Sequence, residues 1–179
     1  NGAVTPTFDN ITLTYVVNAP PDLQNMTASQ RTSDGKVDVV YQVRDTDTAT
    51  GTTTPGFITP SFSYSNDGGQ NWTAITSGYL SAGNLSNKQV CDGTGTYGLN
   101  CAVTQYTQYT ATWDAKAQLN GTYATNTKIM ITATDNEGAN NSSSVATSAF
   151  TLDVKNPVAT VLVDGTKDGQ AGAVTISSS

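Results

Sequence analysis

Apolar residues recur at every second position in run after run of this chain, and that spacing constrains the fold more than any other feature. Ile11, Leu13, Tyr15 and Val17 alternate with polar residues, as do Val37, Val39, Tyr41 and Val43. Phe62 and Tyr64 repeat the pattern, followed by Tyr109, Ala111 and Trp113, then Ile129, Ile131 and Ala133, then Phe150, Leu152 and Val154. Successive side chains of an extended strand point to opposite faces, so period two gathers the apolar groups of a run on one face. Each run is short and bounded by turn residues: SDG at 33–35, SNDGG at 65–69, LNG at 119–121 and DNEG at 135–138. Short runs with one apolar face predict an all-β fold, an antiparallel sandwich. Trp72, Trp113, Tyr41 and Phe150 are the expected large core fillers,. DAKAQLN at 114–120 is the one helical turn expected.

Charge supports the same class. Only 12% of the residues are charged, whereas helix surfaces are normally rich in Glu, Lys and Arg. The net charge of −6 repels a phosphate backbone, and no basic cluster overrides it, so no nucleic-acid partner is expected. Binding to an anionic membrane surface is not expected, on the same ground. No transmembrane run or signal peptide is visible, and no membrane insertion is expected in this segment. Asn1 is not an initiator, so the chain is expected to be processed or a piece of something longer.

Prolines divide the chain. NAPPD at 18–22 and KNP at 155–157 set off a central block. The expected organisation is a flanking strand segment at 1–20, a sandwich at 21–156 and a second flanking segment at 157–179. The flanks are too short to bury cores of their own. They are expected to belong to adjoining units or to add as strands to another chain.

Cys91 and Cys101 enclose CDGTGTYGLNC. Zinc and redox motifs use tighter spacing, so the expectation is a disulfide that pins a loop and implies an oxidising compartment. Asn-x-Ser/Thr sequons at Asn10, Asn25, Asn71, Asn84, Asn120, Asn140 and Asn141 are candidate glycosylation sites of an extracellular chain,.

Residues 131–163, ITATDNEGANNSSSVATSAFTLDVKNPVATVLV, resemble the end of a bacterial Ig-like repeat, with Ala133, Asp135, Gly138, Asp153 and Pro157 on the matching positions. NMTASQRTSDGKVDVVYQVRDTD at 25–47 resembles the opening strands of fibronectin type III-like modules of large prokaryotic surface proteins. The resemblance implies an Ig-like or fibronectin III-like sandwich flanked by strands of adjoining units, outside the cell, and implies no activity. Ser65, Asp67, Gly69 and Trp72 of SNDGGQNW resemble the Asp box of sialidase propellers. A propeller needs several such blades, so one box is expected to be a structural hairpin.

Catalysis is not expected. The chain has no histidine, which removes the commonest general base and every Ser-His or Cys-His arrangement,. Arg31 and Arg44 are the only arginines, too few for a carboxylate-binding cluster. No cofactor is required. The candidate metal site is a calcium site: Asp45 and Asp47 follow one strand, and Asp135 and Glu137 follow another. If these are the B and F strands of an Ig-like sandwich, their loops emerge at one end, near the linker that carries Asp22. Tyr97, Tyr106 and Tyr109 are the candidate sugar-stacking residues near the cysteine loop. Lys36, Lys128 and Lys155 lie near strand ends, with no acid placed to promote an isopeptide bond.

The expected function is a structural module that spaces or links units of a surface layer, filament or adhesin. Its partners would be copies of itself or neighbouring domains. The alternative is a carbohydrate-binding adhesin module with glycans as partners.

Overall fold

The computed structural model describes residues 18–47, 56–81, 84–135 and 140–156. The flanking strands expected at 11–17 and beyond 157, and the candidates Asn10 and Glu137, lie outside the described residues. Strands β1 (Asp22–Gln30), β2 (Val37–Arg44) and β6 (Thr107–Trp113) form a sheet in the order β1-β2-β6. The second sheet is built on β3 (Phe57–Ser65) paired with the long β7 (Tyr123–Thr134). Two short strands, β4 (Thr73–Ala74) and β5 (Lys88–Gln89), pair with opposite ends of β3. Pro60, which has no N–H to donate to a ladder, falls between them,. On its other side β7 pairs first with β9 (Phe150–Asp153) and then with β8 (Ser142–Ala146). Every strand pairing in both sheets is antiparallel. The all-β sandwich expected from the alternation is the fold observed.

Period two decides which face is buried. Val37, Val39, Tyr41 and Val43 of β2 are buried, and they face Ile58 and Phe62 of β3 and Ile129, Ile131 and Ala133 of β7 across the core. Tyr41 meets Phe62 edge-on at 6.0 Å between ring centroids, and Trp113 stacks on Tyr64 at 5.2 Å. Phe150 is half-buried against the same core. Trp72 is not part of it: the ring folds back across its own hairpin beside Gly69 and stays half-exposed. The helical turn is present as α1 (Ala115–Leu119), where the Asp114 side chain accepts the Ala117 N–H as an N-cap,. Gln118 from this turn accepts the buried indole N–H of Trp113 at 2.8 Å.

Strand β1 changes phase partway. Leu23 is buried, yet beyond it the core-side residues are Met26 and Ala28, an odd-to-even switch. An extra residue between Gln24 and Thr27 in the register, with Asn25 left-handed at φ +50°, makes the switch. Such a bulge on an edge strand breaks the regular row of backbone donors that another chain could pair with.

The chain enters and leaves at opposite poles. Asp22 opens β1 beside Arg44, the last residue of β2. Gln30 closes β1 at the far pole, where its side chain is bonded to Asp153, the last residue of β9.

Candidate functional site

The alternation that builds the core runs one step past two strands, and both times it lands on an aspartate. Val39, Tyr41 and Val43 are followed in phase by Asp45; Ile129, Ile131 and Ala133 are followed in phase by Asp135. Both strands end at the same pole, so two carboxylates point into the sandwich where another apolar layer would be expected. Asp45 is 1% exposed and Asp135 is 5% exposed. Both carboxylate oxygens of Asp45 are buried with no donor at hydrogen-bond distance among the described residues. The Asp47 carboxyl acts on Asp45 directly, opposed in part by the Asp47 backbone N–H. Two carboxylates are both acceptors, so this contact becomes favourable only with a proton or a cation between them. Burial first, then Asp47, then the Asp135 charge push the Asp45 pKa far above the ordinary carboxylate range.

The segment before β1 is fastened over this pole. The Ala19 N–H donates to Asp47 at 2.7 Å. Asn140, held left-handed at φ +55°, donates its amide to the Asn18 carbonyl at 2.9 Å, and the Asn18 amide donates to the Asn140 carbonyl at 3.3 Å. The Ser143 hydroxyl donates to the Pro21 carbonyl. Below them the Asp135 N–H donates to the Asn141 carbonyl at 2.9 Å, closing the loop that follows β7. The donor atoms at this pole are all oxygens. That suits a hard cation such as calcium and not zinc, which prefers nitrogen and sulfur. Among the described residues, no three His, Cys, Asp or Glu side chains form a metal-ligand set by themselves. A cation here therefore also needs amide or carbonyl oxygens.

The three tyrosines do not share one free face. The Tyr106 hydroxyl bonds Asp22, and its ring lies under the Arg44 guanidinium at 4.5 Å. Tyr109 is half-buried against Tyr41 and donates its hydroxyl to the Gln89 carbonyl at 2.6 Å. Tyr97 is 58% exposed at the tip of the cysteine loop.

That loop is closed by a Cys91–Cys101 disulfide. Inside it the Asp92 carboxylate accepts four backbone N–H groups, from Thr94, Gly95, Tyr97 and Gly98. Sequence reading missed Asp92, although an aspartate followed by Gly-x-Gly is a turn signal. The Asp-box residues form a turn of the same kind. Asp67 accepts from the Ser65 hydroxyl at 2.6 Å and from the backbones of Gln70 and Asn71. Gly69, at φ +103°, lies against Trp72.

The sequons differ in what holds them. Asn84 is buried and donates its amide to the Thr112 carbonyl, so its nitrogen is engaged within the fold. Asn25 and Asn71 are exposed but donate to Gln42 and Asp67, and Asn140 is engaged with Asn18. Asn120 is exposed at the end of α1, with Asn141 half-buried. Of the lysines near strand ends, Lys155 lies over the Tyr123 ring at 5.5 Å.

No family model, no curated protein and no solved structure matches this chain.

Proposed function

We propose that this chain is an Ig-like, fibronectin III-like module of an extracellular surface protein, one that spaces or links neighbouring units. The observation that carries the reading is the placement of the two ends of the sandwich. The polypeptide comes in at the pole of Asp45 and Asp135 and goes out past Asp153 at the other. A module with opposite ends extends a linear array by its own length with each copy, whereas adjacent ends would fold the array back.

Strand order supports the Ig-like part. Taking β1, β2, β3, β6 and β7 as A, B, C, E and F, strands A, B and E form one sheet and C and F are central in the other. The split pair β8 and β9 occupies the position of G, and β4 with β5 stands beside C. The reading is supported by the Ig class dividing its strands in the same way, A, B and E against C, F and G, with extra strands on the C edge. A disulfide-braced surface loop supports an oxidising compartment,.

Antibody labelling of intact source cells tests the reading. Label is expected on unpermeabilised cells, with Cys91 and Cys101 recovered in the oxidised form after alkylation. Label that appears only after permeabilisation, with both thiols free, overturns it.

A further inference from the structure

We infer that the pole formed by Asp45, Asp47 and Asp135 binds one hard divalent cation, calcium by its chemistry, and that the cation fastens the segment Asn18–Pro21 to the sandwich. The site does not depend on the extracellular reading. Only its consequence for the joint between successive units rests on that reading, and surface labelling can fail while cation binding holds.

The first support is the Asp45 side chain. It occupies a core-facing position, is 1% exposed, and neither carboxylate oxygen has a donor at hydrogen-bond distance among the described residues. A buried carboxylate without donors is strongly unfavourable unless a cation or a proton satisfies it. Neither arginine does so: Arg31 is paired with Asp34 and Asp38, and Arg44 with Asp22. Asp47 and Asp135 add two further carboxyls close enough to act on Asp45 electrostatically. These carboxyls do not form a ligand set by themselves among the described residues, so a divalent ion satisfying Asp45 would complete its shell with amide or carbonyl oxygens,.

The donor set selects the ion. The chain has no histidine, and both cysteines are in the disulfide, so only oxygen ligands remain. Calcium accepts six to eight oxygens in irregular geometry and uses carbonyls and side-chain amides freely, whereas magnesium demands a near-ideal octahedron. Asn18 brings a buried side-chain oxygen to this pole from the segment before β1. Asp47 links the two parts directly, since it stands beside Asp45 and also holds the Ala19 N–H. An ion bound by Asp47 therefore couples its occupancy to the position of the entering chain.

The competing occupant is a proton shared between Asp45 and Asp47. The full chain, stripped with chelator and confirmed folded by circular dichroism, is titrated with Ca2+ and Mg2+ by calorimetry at neutral pH. One Ca2+ per chain is expected, with Mg2+ weaker. At a hundredfold excess over Kd, Ca2+ should raise Tm by roughly 5–10 °C. Asp45→Asn removes a buried charge, so it should melt in chelator at or above the parent temperature and lose the Ca2+ response. If that variant does not fold, Asp47→Asn replaces it, with an expected loss of at least about tenfold in Ca2+ affinity. Amide exchange at Ala19 should slow when Ca2+ is added. The inference is overturned by no heat and no Tm change at millimolar Ca2+, including the case where melting responds to pH alone. Full Ca2+ affinity in the variants also overturns it. Ca2+ binding that leaves Ala19 exchange unchanged overturns the fastening of the entering segment.

Discussion

Gln30 and Asp153 exchange two hydrogen bonds across the open side of the sandwich. The Gln30 amide donates to the Asp153 carbonyl at 2.7 Å, and the Asp153 N–H donates back to the Gln30 amide oxygen at 2.8 Å. One side chain thus acts as a residue of missing backbone between β1 and β9, which belong to different sheets. Gln30→Ala should lower stability by about 1–2 kcal/mol in urea unfolding. It should also speed amide exchange at Asp153 more than anywhere in β2.

The Tyr41 hydroxyl is buried in the core and has no hydrogen-bond partner among the described residues. Burial and the neighbouring Tyr109 raise its pKa, so it stays neutral. Removing an unsatisfied buried hydroxyl while keeping the ring relieves a desolvation cost. Tyr41→Phe should be neutral or more stable by about 1 kcal/mol, measured by thermal melting. Tyr41→Ala should cost about 3–5 kcal/mol, because the ring packs on Phe62 and Tyr109,.

Gly98 crosses the chain at Gly56. A Cβ on Gly98 would lie 2.2 Å from the Val90 carbonyl oxygen and 2.9 Å from the Gly56 Cα, and neither backbone atom can rotate away. Gly98→Ala should therefore destabilise by about 3 kcal/mol. Gly78 has nothing within 4 Å of an added Cβ. Gly78→Ala is the control, and its stability should be unchanged within about 0.5 kcal/mol.

Two carboxylates make the fold sensitive to acid. The backbone N–H groups of Gly98 and Tyr97 are the main cause that holds Asp92 well below the ordinary range, joined by those of Thr94 and Gly95. The Ser65 hydroxyl leads the same effect on Asp67. A folded pKa below the unfolded one stabilises above the unfolded value, near ~4, and that stability is lost as pH falls toward the folded pKa. Melting temperature should therefore fall between about pH 4 and pH 2. Asp92→Asn should lower Tm at neutral pH, because an amide presents N–H groups to two of the four donors. It should also flatten the acid slope in melts followed by circular dichroism.

Loss of the Cys91–Cys101 bridge releases a loop with a sequence separation of 10. The double variant Cys91→Ser, Cys101→Ser should unfold about 2–3 kcal/mol more easily, as chain-entropy arguments give for loops of this size.

The sheets were legible in the sequence because β2, β6 and β7 from Thr127 onward keep strict alternation and each buries one face. Strand β1 was harder to read: the bulge at Asn25 puts Leu23 and Met26 on the same side, and no period-two count spans that break. Trp72 misled as a core filler because its size argues for burial, while the tight turn before it directs the ring back over Gly69. The acidic residues Asp45, Asp47 and Asp135 could be named from the sequence because they directly follow two strands that alternate. Asn18, Asn140 and Gln30 gave no such signal. Their roles depend on contacts across more than 120 residues of chain, which local pattern does not carry.

The opposite placement of the first and last strands also sets how the fold answers tension. Pulling outward on Asp22 and Asp153 draws β1 along the axis of β2 and β9 along the axis of β7. The interstrand bonds at both ends then lie across the direction of force and must break together in shear, not unzip one at a time. Forced extension is limited by the rate of crossing that barrier, so resistance is concentrated in two short ladders, with the ring of Tyr41 and its neighbours enclosed between them,.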